Sequence, residues 1–258
     1  MAEKMAESAG RTICVTSGKG GVGKTTVAAG LSSCLAAMGH KVICVDADVG
    51  ARNLDIALGL VGFEQSLDLA DALHCRAAPL ECLTVHPRVP NLRLLPAPVT
   101  ETYRALPTER FAPLISHLAL MADFVVVDSP AGLQEGFGLC VSACKEAILV
   151  AAPDAECLRV ASLAAGSITE GRLVVNRVKP RAIARDCAPD IDRFIDSTGL
   201  QLLGLIPEDE MVPAAAHRGH ALVFASHNGA ILAMLHIARR MLGEKLPQRR
   251  LRVWRVSG

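Results

Sequence analysis

The run Gly18-Lys19-Gly20-Gly21-Val22-Gly23-Lys24-Thr25-Thr26 carries the strongest chemical signal in the sequence. It fits the spacing G-x-x-x-x-G-K-[ST], and it stands between a β-branched run, Thr12–Thr16, and the amphipathic stretch Val27–Met38 that reads as a helix. Glycines let the backbone curl so that successive N–H groups face phosphate oxygens, and a helix N-terminus adds its partial positive charge. Lys24 is placed to reach the β- and γ-phosphates of a nucleotide. Thr25 is placed to put its hydroxyl on Mg²⁺, which bridges phosphate oxygens and absorbs charge during transfer.

Acidic residues at strand ends supply the other half of that chemistry. Asp46 and Asp48 follow the run Lys41–Val45, and a period of two sends both to one side as the strand emerges. Asp48 is the candidate to orient the attacking water, with a second role towards Mg²⁺, while Asp46 supports the loop or the metal's waters. Asp128 ends the apolar run Phe124–Val127, where a carboxylate accepts from a Mg²⁺-bound water. The segment Ser129-Pro130-Ala131-Gly132 after it has the glycine that a movable loop needs. Asn176 follows another such run, and its amide can both donate to and accept from a base edge.

The elements that must position these residues are legible as alternation. Short β-branched runs recur at Thr12–Thr16, Lys41–Val45, Leu92–Leu95, Phe124–Val127, Ala147–Ala151, Arg172–Val175 and Gln201–Leu205, with helix-compatible stretches between them. The expectation is an α/β fold, a mainly parallel twisted sheet with helices on both faces and ligands at the carboxyl ends of the strands. A hydrophobic content of 51% with only 3% aromatic residues suits strands buried on both faces. The Pro-rich segment Arg76 to Pro113 reads as excursion and loop around one strand, and Val178 to Pro189 as an exposed connection.

Bulk properties narrow the partners. The 258 residues fit one large domain, placed at 11–245, after a short disordered leader, 1–10, that lacks the apolar segment of a secretory signal. Apolar stretches are too short to span a bilayer, which takes roughly 18 residues or more. With 27 Lys plus Arg against 26 Asp plus Glu, nothing argues for general nucleic-acid binding, and no sequence-specific nucleic acid is expected. Nine cysteines without a C-x-x-C pair imply a reducing compartment and buried thiols. Cys140 and Cys144, four apart, leave a metal or cluster role as the alternative.

Taken together, the motifs resemble the MinD proteins of the deviant P-loop ATPases. The resemblance rests on Thr16-Ser17-Gly18-Lys19 to Thr26, Asp46-Ala47-Asp48-Val49-Gly50 with Arg52-Asn53-Leu54-Asp55, Asp128-Ser129-Pro130-Ala131-Gly132, Asn176-Arg177, and Ile206-Pro207-Glu208-Asp209, in family order across nearly the whole chain. It implies ATP and Mg²⁺ as cofactors, ATP hydrolysis, and a homodimer formed on ATP. Lys19 would cross the dimer interface to touch the partner's nucleotide, while Asn176, Pro207, Glu208 and Asp209 border the adenine. The resemblance also implies MinC-like and MinE-like regulators and a bacterial cytoplasmic protein held at the inner face of the cell membrane. Residues 246–258 lie where the family carries its membrane-targeting segment, and Arg249, Arg250, Arg252, Trp254 and Arg255 suit an anionic surface.

Two departures from the family pattern bear on partners. Pro153-Asp154 is followed by Arg159-Val160-Ala161-Ser162, without the two acids usual near the docking area, and Arg218-Gly219-His220-Ala221 lacks the following Glu-Pro. A flagellar-number regulator and a ParA-like partition ATPase share the same nucleotide site and stand as alternatives. An iron–sulfur carrier would need paired ligand cysteines.

Overall fold

The computed structural model describes residues 9–60, 67–224 and 229–247. In chain order its elements begin with β1 (Arg11–Thr16), α1 (Lys24–Ala37), β2 (Val42–Asp46), α2 (Leu54–Ala57), α3 (Leu69–Leu73), β3 (Thr84–Val85) and β4 (Leu92–Leu95). The middle of the chain adds α4 (Phe111–Ala119), β5 (Phe124–Asp128), α5 (Glu135–Ala143), β6 (Glu146–Ala151) and α6 (Ala155–Ala165). Then come β7 (Gly171–Val178), α7 (Pro180–Ala184), α8 (Ile191–Thr198), β8 (Gln201–Pro207), α9 (Met211–His217) and α10 (Ala230–Met241).

The strands form one sheet in the order β3-β4-β2-β5-β1-β6-β7-β8, parallel throughout except for β3. Every residue of β2 and β5 is buried, as continuous apolar runs covered by helices on both faces must be. The chain fills the side of β1 that holds β2 to β5 first and then the side that holds β6 to β8, so the winding reverses there. Ligands of such sheets sit beyond the carboxyl ends of the strands at that reversal. Register puts Asp46 level with Asp128, and Val15 level with Asp128 on the other side.

Several expectations change. Residues 27–38 do not form an amphipathic surface helix: α1 is buried on nearly every side, from Val27 to Ala36, between the sheet and α10. Its small residues make that possible, because a Cβ on Gly30 would lie 2.1 Å from Met234 Sδ. β3 was not legible, since two residues carry no periodicity, and it pairs antiparallel at the sheet's edge. The Pro-rich segment closes with α4, whose Pro113 sits in the first turn, where its missing N–H costs nothing. The connection after β7 contains α7, started by Pro180 with its preset φ. β7 itself runs to Val178, so Asn176 lies within the strand rather than after it.

The basic tail with Arg249, Arg250, Arg252, Trp254 and Arg255, and nearly all of the leader, lie outside the described residues. No described helix is long and apolar enough to cross a membrane. Cys14, Cys34, Cys44, Cys82, Cys140 and Cys157 are buried free thiols, and Cys144 caps α5 beyond its last turn. Burial pushes the Cys34 and Cys44 thiols up to about 12, so they act as small apolar side chains.

Candidate nucleotide-binding site

β1 ends at Thr16 and delivers the chain into the Gly18–Gly23 loop, which turns into α1. Gly21 and Gly23 have φ of 79° and 90°, the left-handed region that side chains resist. Gly23 caps the helix without a side-chain hydrogen bond, and the first turn holds no acid. The N–H groups and positive end of α1 therefore face outward, ready for an anion. Gly18 is required for another reason. A Cβ there would lie 2.6 Å from Val160 Cγ1 and 2.7 Å from the Val160 carbonyl oxygen, so the loop begins pressed against α6.

Lys24 and Asp128 are brought together from residues far apart in sequence. Lys24 Nζ donates to Asp128 Oδ1 at 2.8 Å, with side chains 7% and 1% exposed. Burial pushes the Asp128 carboxyl up, and the Lys24 ammonium and nearby Thr25 hydroxyl pull it down. Asp128 Oδ2 is buried and has no hydrogen-bond partner among the described residues. A buried carboxylate oxygen without a partner costs free energy, and a Mg²⁺-bound water beside Thr25 would satisfy it. The residues present fit Mg²⁺ held through Thr25, Asp128 and phosphate oxygens.

Of the two roles expected of Asp46, the structure shows support of the loop. β2 ends at Asp46, which is buried and accepts from the backbone N–H groups of Asp48 and Leu54, each at 3.0 Å. Burial, then the nearby Asp128, pushes the Asp46 carboxyl up to about 7. Asp46 thus holds the turn, and the turn rather than the strand places half-buried Asp48.

Asn176 reaches the loop from β7: its Nδ2 donates to the Val22 carbonyl at 2.8 Å. Its side chain lies so close to Gly23 that a Cβ there would sit 2.3 Å from Nδ2. The amide oxygen remains as an acceptor, matching the exocyclic amine of adenine. Beside it is a cleft of ≈ 440 Å³ lined in part by Gly23, Thr26, Asn176, Pro207, Glu208 and Asp209. The carboxylates of the last two are engaged elsewhere. Asp209 accepts from the N–H groups of Met211 and Ala230, each at 2.9 Å, and Glu208 pairs with Lys179 at 2.8 Å. They shape the cleft through backbone and stems rather than through free charge.

Lys19 is the residue whose surroundings sequence reasoning did not find. Its Nζ lies 2.7 Å from Glu156 Oε2 and 3.2 Å from Asp154 Oδ1. Glu156 and then Asp154 hold its ammonium above the usual lysine range. Asp154 caps α6 by accepting from Cys157 N at 2.7 Å, so Lys19 docks on the first turn of that helix. The only signal available was that two acids follow β6.

Residues 13–223 match the CobQ/CobB/MinD/ParA nucleotide-binding domain family. The chain is 36% identical over 245 residues to the septum site-determining protein MinD of Bacillus subtilis (strain 168), covering 92% of this chain and 91% of that protein. Its fold is similar to the MinC:MinD cell division protein complex of Aquifex aeolicus, with a TM-score of 0.85 and 32% identity, over 93% of this chain and 98% of the other. It is also similar to MinD of Pyrococcus horikoshii OT3 complexed with Mg-ADP, with a TM-score of 0.78 and 28% identity, over 90% of this chain and 95% of the other.

Proposed function

The chain belongs to the CobQ/CobB/MinD/ParA nucleotide-binding family and is within it a MinD-type septum site-determining ATPase, and we propose that it works as a switch that dimerises on ATP and binds the membrane. ATP and Mg²⁺ are its nucleotide and metal. The observation that carries the reading is the buried Lys24–Asp128 pair with its unsatisfied Asp128 Oδ2 at the mouth of the Gly18–Gly23 loop.

In this reading the N–H groups of the loop and the end of α1 cradle the phosphates. Lys24 turns from Asp128 towards the β- and γ-phosphate oxygens, and Asn176 Oδ1 accepts from the adenine amine. Thr25, and Asp128 through a bound water, would hold Mg²⁺, which would supply charge neutralisation to the phosphates. Asp48 orients the attacking water, its position set by the Asp46 turn. Lys19 leaves Glu156 and Asp154 to reach the nucleotide of a second copy. Hydrolysis then depends on assembly, as with an arginine finger.

The basic tail couples that assembly to the inner face of the membrane. One weakly binding segment is released readily, whereas a pair gains from effective concentration. A MinC-like protein is the partner that the similar Aquifex complex suggests, with a MinE-like regulator beside it. The lack of acids at Arg159–Ser162 predicts partner contacts adapted to this chain.

Liposome co-sedimentation tests the whole reading. With anionic vesicles, the chain should pellet with ATP, less with ADP, and in neither state when it ends at Leu246. Asp128→Asn should lose the ATP-dependent part together with hydrolysis. Equal pelleting in ATP and ADP would separate membrane binding from the nucleotide and sink the switch.

A further inference from the structure

Tyr103 is the sole tyrosine of the chain and lies in a short 3-10 turn, Tyr103–Ala105, between β4 and α4. Nothing in the motif pattern points to it. Its hydroxyl donates to the Ala47 carbonyl. Ala47 lies between the turn-holding Asp46 and the water-orienting candidate Asp48. Its own N–H donates to the Asp128 carbonyl at 3.0 Å, and its carbonyl also accepts from Val49 N at 3.0 Å. The residue before Asp48 is thus held through its N–H by the β5 backbone and through its carbonyl by the phenol.

The ring of Tyr103 packs at the start of α5, beside the other loop. A Cβ on Gly136 would lie 2.7 Å from Tyr103 Cζ and 2.6 Å from Pro130 Cγ. Gly136, in the first turn of α5, is therefore squeezed between Pro130 of the Ser129–Gly132 segment and the phenol ring. That segment in turn holds the phosphate loop, since Gly132 N donates to the Ser17 carbonyl at 3.2 Å. Glu101, a near neighbour of Tyr103 in the chain, pairs with Arg76 at 3.3 Å and lies 3.4 Å from His74 Nε2, both just beyond α3. Burial holds the phenol well above its usual range, so the hydroxyl stays protonated and remains a donor.

We propose that Tyr103 is a positioning residue for hydrolysis: its hydroxyl fixes the loop carrying Asp48 while its ring fixes the loop after Asp128. The two loops that must close on a γ-phosphate thereby move in register. The inference rests on the ATPase reading above and adds a residue outside every nucleotide-binding motif. It commits to a particular consequence. Losing the hydroxyl should disturb the attacking-water geometry and leave the phosphate cradle, which Tyr103 does not touch, as it was.

Tyr103→Phe keeps the ring and removes the hydroxyl, with its tether to Ala47 and its contact with the Cys140 thiol. Since Ala47 keeps its bond from Val49, the turnover number should fall by a modest factor, about three- to tenfold, the worth of one net hydrogen bond. KM for ATP and the dissociation constant for Mg-ADP should stay within about twofold. Gly136→Ala displaces the ring instead and should lower turnover in the same direction. Because the tyrosine is unique, wild-type chain made with 3-fluorotyrosine gives one ¹⁹F resonance, which should differ between Mg-ADP and a non-hydrolysable Mg-ATP analogue. Unchanged turnover in Tyr103→Phe would overturn the proposal, and so would a loss of turnover matched by an equal loss of ADP affinity, which marks general packing damage. If the wild-type chain failed to hydrolyse ATP, the ATPase reading would fall. The resonance would then decide the tether alone, an identical position in both nucleotides overturning it.

Discussion

At the scale of single residues, burial raises both carboxyls at the heart of the site, Asp46 and Asp128. Asp128, Asp46 and Lys24 are buried together, Lys24 on Asp128 Oδ1 and Asp46 on the N–H groups of Asp48 and Leu54, while Asp128 Oδ2 has no partner among the described residues. His86 shows the same logic away from the nucleotide. It is 3% exposed, its Nδ1 accepts from the N–H groups of Arg88 and Val89 at 3.1 Å, and its Nε2 donates to the Leu58 carbonyl at 3.0 Å. That pattern requires the neutral ring, and burial lowers its pKa below the ordinary value. The unfolded chain takes up a proton below about pH 6.5 while the folded one resists, so folding free energy is lost as pH falls from there towards the folded-state pKa. In urea titrations of nucleotide-free protein, His86→Asn should be less stable than wild type by about 1–2 kcal/mol at pH 8. The gap should narrow by pH 5. A gap that is constant with pH would mean that His86 is not the titrating group.

At the scale of elements, the decisive contacts are between the phosphate loop and its neighbours rather than within the loop. α6 touches it twice, through Val160 against Gly18 and through Glu156 and Asp154 against Lys19. α10 packs on α1 through Met234 and Gly30, and β7 supplies Asn176. Since Val160 meets Gly18 partly through its backbone, Gly18→Ala should force the loop and α6 apart, costing about 1–3 kcal/mol of stability. It should weaken Mg-ADP binding as well. Gly20→Ala is the control, because a Cβ there meets only the Ala131 methyl at 3.8 Å. Thermal unfolding without nucleotide should separate the two variants, and an equal effect would remove α6 as the cause.

At the scale of the molecule, one sheet carries everything. The reversal of winding at β1 opens the crevice, the register levels Asp46 with Asp128, and the helices close both faces. Lys19 is paired on α6 in a single copy, and the proposed switch has it act on the nucleotide of a second copy. Specific ATPase activity should therefore rise with protein concentration. Lys19→Ala should abolish that rise and lower turnover by about 10³-fold, with Mg-ADP affinity kept within about threefold. Activity per chain that is independent of concentration in wild type would argue for a lysine acting within its own copy.

The sequence by itself determined the parallel α/β sheet, the phosphate loop and the acid at the end of β5. Each of these is a local pattern: a period, a spacing, or a residue type next to a strand end. Asn176 was legible as a candidate through its amide and the family resemblance, but neither its place inside β7 nor its hydrogen bond to the Val22 carbonyl was. Only the tertiary structure decided that Asp46 holds the turn through the N–H groups of Asp48 and Leu54, and that α1 is buried on nearly every side. It alone placed Glu156 against Lys19 and Tyr103 between the two loops. Those contacts join residues far apart in the chain, Lys19 and Asp154 by 135 positions and Tyr103 and Ala47 by 56. No spacing rule reaches across such distances, because which side chains meet there is fixed by the packing of whole elements.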